Sequence, residues 1–293
     1  MISLGKQPIK PMRLIKHIVM ALALLLAGCQ VIPEDQQLLP LPSAKPVSNA
    51  LLIEFTGFLC VNCPTAAEEA HSLLTEYPDN LVVVAMHPAD NHFTQTGKPE
   101  YDYTCPEAND YYRYFGGTAV TPFPTGVVDM QQGWLEYPSW GTMVRMSVLD
   151  KKSGHLMVNI TDINEQQRSF HVYASVFVDE PAEEWIDREM QIEVMLWLVA
   201  DSVSGAQMMP DGSTNLSYTH RHMLRASLFD NPWGTYPVIV AGTECRVAHF
   251  DYVVTDTIGG QILPLDRYSV VAVLMDPNTP QTMLDVKQIK LQN

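Results

Sequence analysis

Two cysteines separated by two residues, Cys60 and Cys63, stand in the stretch EFTGFLCVNCP, Glu54–Pro64. Thiols at this spacing exchange with disulfides, ligate a metal or close a short staple. Metal binding needs more donors: no second close pair of cysteines is present, and a structural zinc site takes four ligands. The pair lies between an apolar run, ALLIEFTG (Ala50–Gly57), and a segment of helical pattern, PTAAEEAHSLLTEY (Pro64–Tyr77). A helix N-terminus presents unpaired N–H groups and a partial positive charge, and both stabilise a thiolate. Cys60 is therefore expected at the helix entrance as the more exposed, attacking sulfur. Cys63 is expected within the first turn, more buried, as the sulfur that resolves a mixed disulfide. Glu54 lies in the apolar run before the pair. A buried carboxylate without a partner has a raised pKa and can move a proton near neutrality, here as the base for Cys63. Strand alternation alone also allows Glu54 to face water. In PFPT, Pro122–Thr125, a proline opening a strand suits a cis bond beside a bound peptide. Pro124 is the candidate and Pro122 the alternative. No cofactor and no metal is assigned.

These residues need a scaffold. The run Ala50–Gly57 reads as a buried strand, Pro64–Tyr77 as a helix and NLVVVAMHP (Asn80–Pro88) as a second buried strand. Residues 105–115 read as a helix, a third strand follows the two prolines, and another helix is expected over 139–150. Strand–helix–strand alternation implies parallel pairing and an α/β domain. Beyond residue 151 the pattern changes to alternating strands separated by turn clusters such as PDGSTN and DPNTP, which reads as a β-sandwich. The expected organisation is thus α/β plus all-β, with domains over residues 50–150 and 151–293. In YTHRH, His220 and His222 alternate. They are either a polar patch or, with His249 or a carboxylate, part of a metal site. Cys105 and Cys245 either pair or stay free.

The N-terminus is read as a leader. Lys6, Lys10, Arg13 and Lys16 precede a short apolar run, Ile18–Ala27, which ends in LAGC at Cys29. The run suits a secretory signal better than a spanning helix. The signal resembles that of bacterial lipoproteins, which implies cleavage after residue 28 and lipid attachment at Cys29, with membrane contact through acyl chains. Residues 29–49 follow, rich in Pro, Gln and Ser, as a tether. Removing the four basic residues of the leader takes the formal charge from −15 to −19. Such a chain is not suited to nucleic acid or to anionic lipid surfaces. Gln30, next to the lipid cysteine, points to the outer membrane.

Glu54, Cys60-Val61-Asn62-Cys63-Pro64 and Phe123-Pro124-Thr125 resemble the thioredoxin superfamily. In that superfamily an acid, a cysteine pair and a cis-proline converge on one surface. The second half, through IEVMLWLVADSVSGAQ, YTHRHMLRASLF and YSVVAVLMDPNTPQTMLDVKQIKL, resembles the outer-membrane-protein-28-like lipoproteins. That resemblance implies a thioredoxin-like domain followed by an Ig-like β-sandwich on an outer-membrane lipoprotein. The lipoprotein resemblance does not by itself imply an activity; the cysteine constellation and the thioredoxin resemblance point to thiol–disulfide exchange with the thiols or disulfides of exported proteins, through Cys60, Cys63, Glu54 and Pro124, with an unknown redox partner. The alternative is a non-catalytic envelope binding or adhesion lipoprotein with a structural Cys60–Cys63 bridge.

Overall fold

The computed structural model describes residues 45–179, 189–240, 242–278 and 281–292. The expected signal peptide (1–28), Cys29 and the tether up to residue 44 lie outside the described residues. The end of the expected tether is docked: Val47 and Ser48 donate backbone N–H groups to Val148 O, and Asn49 donates from Nδ2 to Asp285 Oδ1.

The described residues form fourteen strands and three α-helices. The first half holds β1 (Ala50–Phe55), α1 (Cys63–Glu76), β2 (Leu81–Met86), α2 (Pro106–Tyr114), β3 (Thr125–Val128) and α3 (Trp140–Leu149). The second holds β4 (Gly154–Asn164), β5 (Ser169–Val178), β6 (Glu189–Gln191), β7 (Glu193–Ala200), β8 (Val203–Met208), β9 (Thr214–His220), β10 (Met223–Ser227), β11 (Val238–Val240), β12 (Glu244–Val253), β13 (Tyr268–Asp276) and β14 (Thr282–Lys290).

β1 and β2 are buried along their whole length because both faces are covered, which is why β2 reads as an unbroken apolar run and β1 as one interrupted only by Glu54, rather than as alternating strands. They pair in parallel, Ala50 opposite Leu81 through Phe55 opposite Met86, and β3 lies antiparallel on the other side of β1. β2 is not an edge strand. β10 joins it in parallel at Met223–Ala85, and Ala85 N donates to His222 O at 2.7 Å. The result is one seven-stranded sheet in the order β14-β13-β7-β10-β2-β1-β3.

The boundary expected at residue 150 is therefore not a boundary of the sheet. Lys45–Asn293 forms one compact unit, because strands of the second half extend the sheet begun by the first. β12, β5 and β4 make a separate three-stranded sheet, and a sandwich core lies between it and the large sheet. Phe170, Val172, Ala174 and Val176 of β5 meet Val194, Leu196 and Leu198 of β7 and Val270, Ala272 and Leu274 of β13. The alternate residues of the same two strands, Met195, Trp197 and Val199 with Val271 and Val273, pack on the opposite face with Leu51, Ile53 and Phe55 of β1 and Tyr111 and Tyr112 of α2. A third core joins Ala50 and Leu52 of β1 to Ala66, Ala70 and Leu73 of α1 and Trp140, Val144 and Val148 of α3. β8 and β9 pair only with each other.

Candidate disulfide site

The β1–α1 connection carries the cysteines. Residues Thr56–Asn62 turn the chain from the end of β1 into α1, whose first residues are Cys63 and Pro64. Proline in the first turn loses no hydrogen bond, because that N–H has no intrahelical partner. Cys60 and Cys63 are joined in a disulfide with Cα atoms 5.4 Å apart. Cys60 is 1 % exposed and Cys63 3 %. The expectation that Cys60 is the exposed sulfur is thus corrected: the cover comes from a part of the chain that local spacing does not reveal.

Both cysteines lie in one buried cluster with Phe55, Tyr112 and Phe123, and Gln207 of β8 reaches the backbone of the turn that carries them. Its Nε2 donates to Cys60 O at 3.0 Å and to Gly57 O at 3.3 Å, and Met208 N donates to Phe58 O at 3.0 Å. From the other side Leu59 N donates to Phe93 O at 2.9 Å. Gly57 has no room for a Cβ, which would fall 2.6 Å from Phe93 O. Of the two residues between the cysteines, only Asn62 is exposed.

Beside the pair lies a cavity of about 20 Å³, room for about one water. Glu54, Cys63, His87, Gln207, Tyr218 and His220 line it. Glu54 is 6 % exposed, so the buried alternative holds. Burial pushes its pKa from 4.5 to about 7. His87 is 2 % exposed, and neither ring nitrogen has a hydrogen-bond partner. Burial, then the neighbouring His220 and Arg225, holds it well below the ordinary histidine range. His220 is lowered to about 4 by burial, and Tyr218 is raised to about 12 by burial and by Glu54 and Glu68. Arg221 also lines the cavity and pulls Tyr218 the other way, but the loss of water is the larger effect, so all four groups favour their uncharged forms.

The Phe123–Pro124 bond is cis. Pro124 is half-buried and does not line the cavity, whereas Phe123 belongs to the same buried cluster as the two cysteines. His220 and His222 do not share a site. His220 enters the cavity, whereas His222, with φ 57°, sits 3.8 Å from Asp201. His249 packs against the ring of His171. No group of three or more metal-ligating side chains gathers among the described residues. Cys105 and Cys245 are free. Cys105 donates to Leu224 O, and burial raises its thiol to about 12, so it is a thiol and not a thiolate at neutral pH.

Local sequence reasoning misses Gln207, His87 and Tyr218, and it places His220 in a patch or a metal site. The signal closest to visible is His87 itself, a histidine directly after an entirely apolar strand. Gln207 carries none, being 147 residues from Cys60.

No protein-family description and no curated protein matches the chain. Among solved structures, HBP35 of Porphyromonas gingivalis superposes with a TM-score of 0.63 at 14 % identity, over 85 % of this chain and 76 % of that one. This likeness is one of fold. A protein of Agrobacterium tumefaciens gives a TM-score of 0.47 at 11 % identity over 85 % of this chain and 97 % of its own. A domain of the outer membrane lipoprotein Omp28 from Porphyromonas gingivalis gives 0.31 at 16 % identity, over 49 % of this chain and 93 % of that one. At such scores neither bears on the fold. No described helix is long and apolar enough to cross a membrane.

Proposed function

We propose that the protein is a lipid-anchored envelope protein that exchanges thiols and disulfides with exported proteins. The observation that carries this reading is Glu54, a buried carboxylate raised to about 7 by burial, in one cavity with Cys63. A staple has no use for such a group, which destabilises the fold whenever it is ionised. The order β1, cysteine pair, α1, β2, cis-Pro124, β3 supports a thioredoxin-like arrangement of the first half.

In the oxidised state an incoming thiolate attacks Cys60 Sγ. A new sulfur–sulfur bond forms there while the Cys60–Cys63 bond breaks, and Cys63 leaves as a thiolate. The protonated Glu54 carboxyl supplies its proton through the cavity. A second thiol of the substrate, deprotonated, then attacks the mixed disulfide and releases Cys60. The substrate dithiol becomes a disulfide and the cysteine pair becomes a dithiol. The reverse direction uses the same steps, with Glu54 as base. The leader motif ending at Cys29 supports lipid anchoring, and the outer membrane is the proposed location. Replacing Cys29 with Ser should abolish incorporation of labelled palmitate; retained label at another site would refute that assignment.

The exchange is tested with the soluble chain in glutathione redox buffers. Cys63→Ser is expected to trap one glutathione on Cys60, and Cys60→Ser to trap none and to lose all turnover of a protein disulfide. A wild-type pair that does not equilibrate with glutathione supports the second reading, a structural bridge in a binding lipoprotein. The burial of both sulfurs favours that reading.

A further inference from the structure

A thiolate that opens a disulfide has to reach one of its sulfurs, and here both are covered. One piece of that cover is built differently from the rest. The β8–β9 hairpin shares no ladder with the large sheet, and its outer residues Pro210–Ser217 are exposed. Besides the apolar packing of Val203, Ala206 and Met208, a few polar contacts tie its inner end to the site. Gln207 Nε2 donates to Cys60 O and Gly57 O, and Met208 N to Phe58 O. The Tyr103 hydroxyl accepts from Ala206 N at 2.7 Å and donates to Ala206 O at 3.2 Å. The two feet of the hairpin, Ser202 and His222, both hold left-handed backbone, φ 55° and 57°. Residues with a Cβ stay there only where their surroundings enforce it. The inner half of the hairpin is buried, with Val203 and Ala206 in the sandwich core, but its exposed outer half and its separable polar anchors let it open more readily than the strands of the large sheet.

We propose that the β8–β9 hairpin is a cover over the Cys60–Cys63 site and that Gln207 is the positioning residue that latches it. Gln207 acts through the backbone: it pins the carbonyls of Gly57 and Cys60, so the turn that presents the attacked sulfur is held against the hairpin. Lifting the hairpin frees that turn and opens the cavity that Gln207, Tyr218 and His220 close. The purpose of the cover rests on the exchange reading; its existence does not.

The test is the rate of reduction of the native disulfide by dithiothreitol, followed across low urea concentrations alongside global stability. Each reduction converts dithiothreitol to its cyclic disulfide, and its two electrons and two protons go to Cys60 and Cys63. Gln207→Ala is expected to accelerate reduction at least about tenfold, at a rate nearly independent of urea, as local opening exposes little surface. Tyr103→Phe, which releases the hairpin from its other side, is expected to act in the same direction and serves if Gln207→Ala does not fold. Rates equal to wild type in both variants, or a urea slope matching global unfolding, would overturn the cover. If the variants open to dithiothreitol but neither they nor the wild type exchange with glutathione or a protein disulfide, the cover stands and the exchange reading falls. If the wild-type pair is reduced as fast as in the unfolded chain and exchanges freely, the cover falls and the exchange reading stands.

Discussion

Glu54 sets the pH behaviour of the site. Its carboxyl moves from 4.5 to about 7 on folding through burial. Between those values the folded chain keeps a proton that the unfolded chain releases, so stability falls as pH rises through the window, by about 3 kcal/mol in all. Glu54→Gln should therefore be more stable than wild type at pH 8 by about that amount and nearly equal at pH 4, as measured by urea unfolding at the two pH values. An equal difference at both would refute it. His220 works in the opposite direction. Its value falls from 6.5 to about 4, so its contribution is complete above 6.5 and is lost as pH falls through 4. The spacing of Glu54, Cys60 and Cys63 along the chain allows the acid and Cys63 to lie side by side, because strand, turn and helix are local, but which face Glu54 takes follows only from what covers β1. The burial of Cys60 and the arrival of His87, Tyr218 and His220 are not legible in the same way. These depend on register between β2, β9 and β10, and nothing within the sequence window around the cysteines encodes that register.

β10 shows the same limit among elements. Its residues read as a strand from composition, and so do those of β2, but the pairing of the two does not follow from either. Arg225 anchors β10. Its Nε and Nη2 hold Asp256 at 3.0 Å, its Nη1 donates to Tyr103 O at 2.7 Å, and its side chain is 4 % exposed. Removing one member of a buried pair leaves the other charge without compensation, at a cost of about 3–5 kcal/mol. Arg225→Ala should lose that much in urea unfolding; a loss below about 1 kcal/mol would mean that water or a neighbour replaces the guanidinium. The same arginine fixes the backbone of Tyr103, which holds the hairpin at Ala206, so the variant should also speed reduction of the disulfide. The helices are legible to within a residue or two: the pattern over Pro64–Tyr77 becomes Cys63–Glu76, and that over 139–150 becomes Trp140–Leu149. Their apolar stripes are self-contained signals, whereas strand partners are chosen at long range.

For the whole molecule, the shared strands decide how it unfolds. β7 and β13 bury one face in the sandwich and the other against α2 and β1, so neither half keeps a complete core without the other. Residues 45–293 should unfold in a single transition with coincident near- and far-ultraviolet signals. A fragment of residues 45–150 should not fold, since it leaves β2 without its β10 neighbour; a dispersed amide spectrum from that fragment would refute this. The two-part organisation expected from sequence reflects a real change of pattern near residue 151, but a change of pattern does not show which strands share a sheet. The placement of the latch also orders events in time. Cys60 precedes Gln207 by 147 residues, and the Asn49–Asp285 bond closes a span of 236. A chain that emerges N-terminus first presents both thiols to an oxidant long before β8 exists to hide them. Such non-local closures are slow, so both sulfurs stay open to exchange while the chain folds and are covered only once β8 docks.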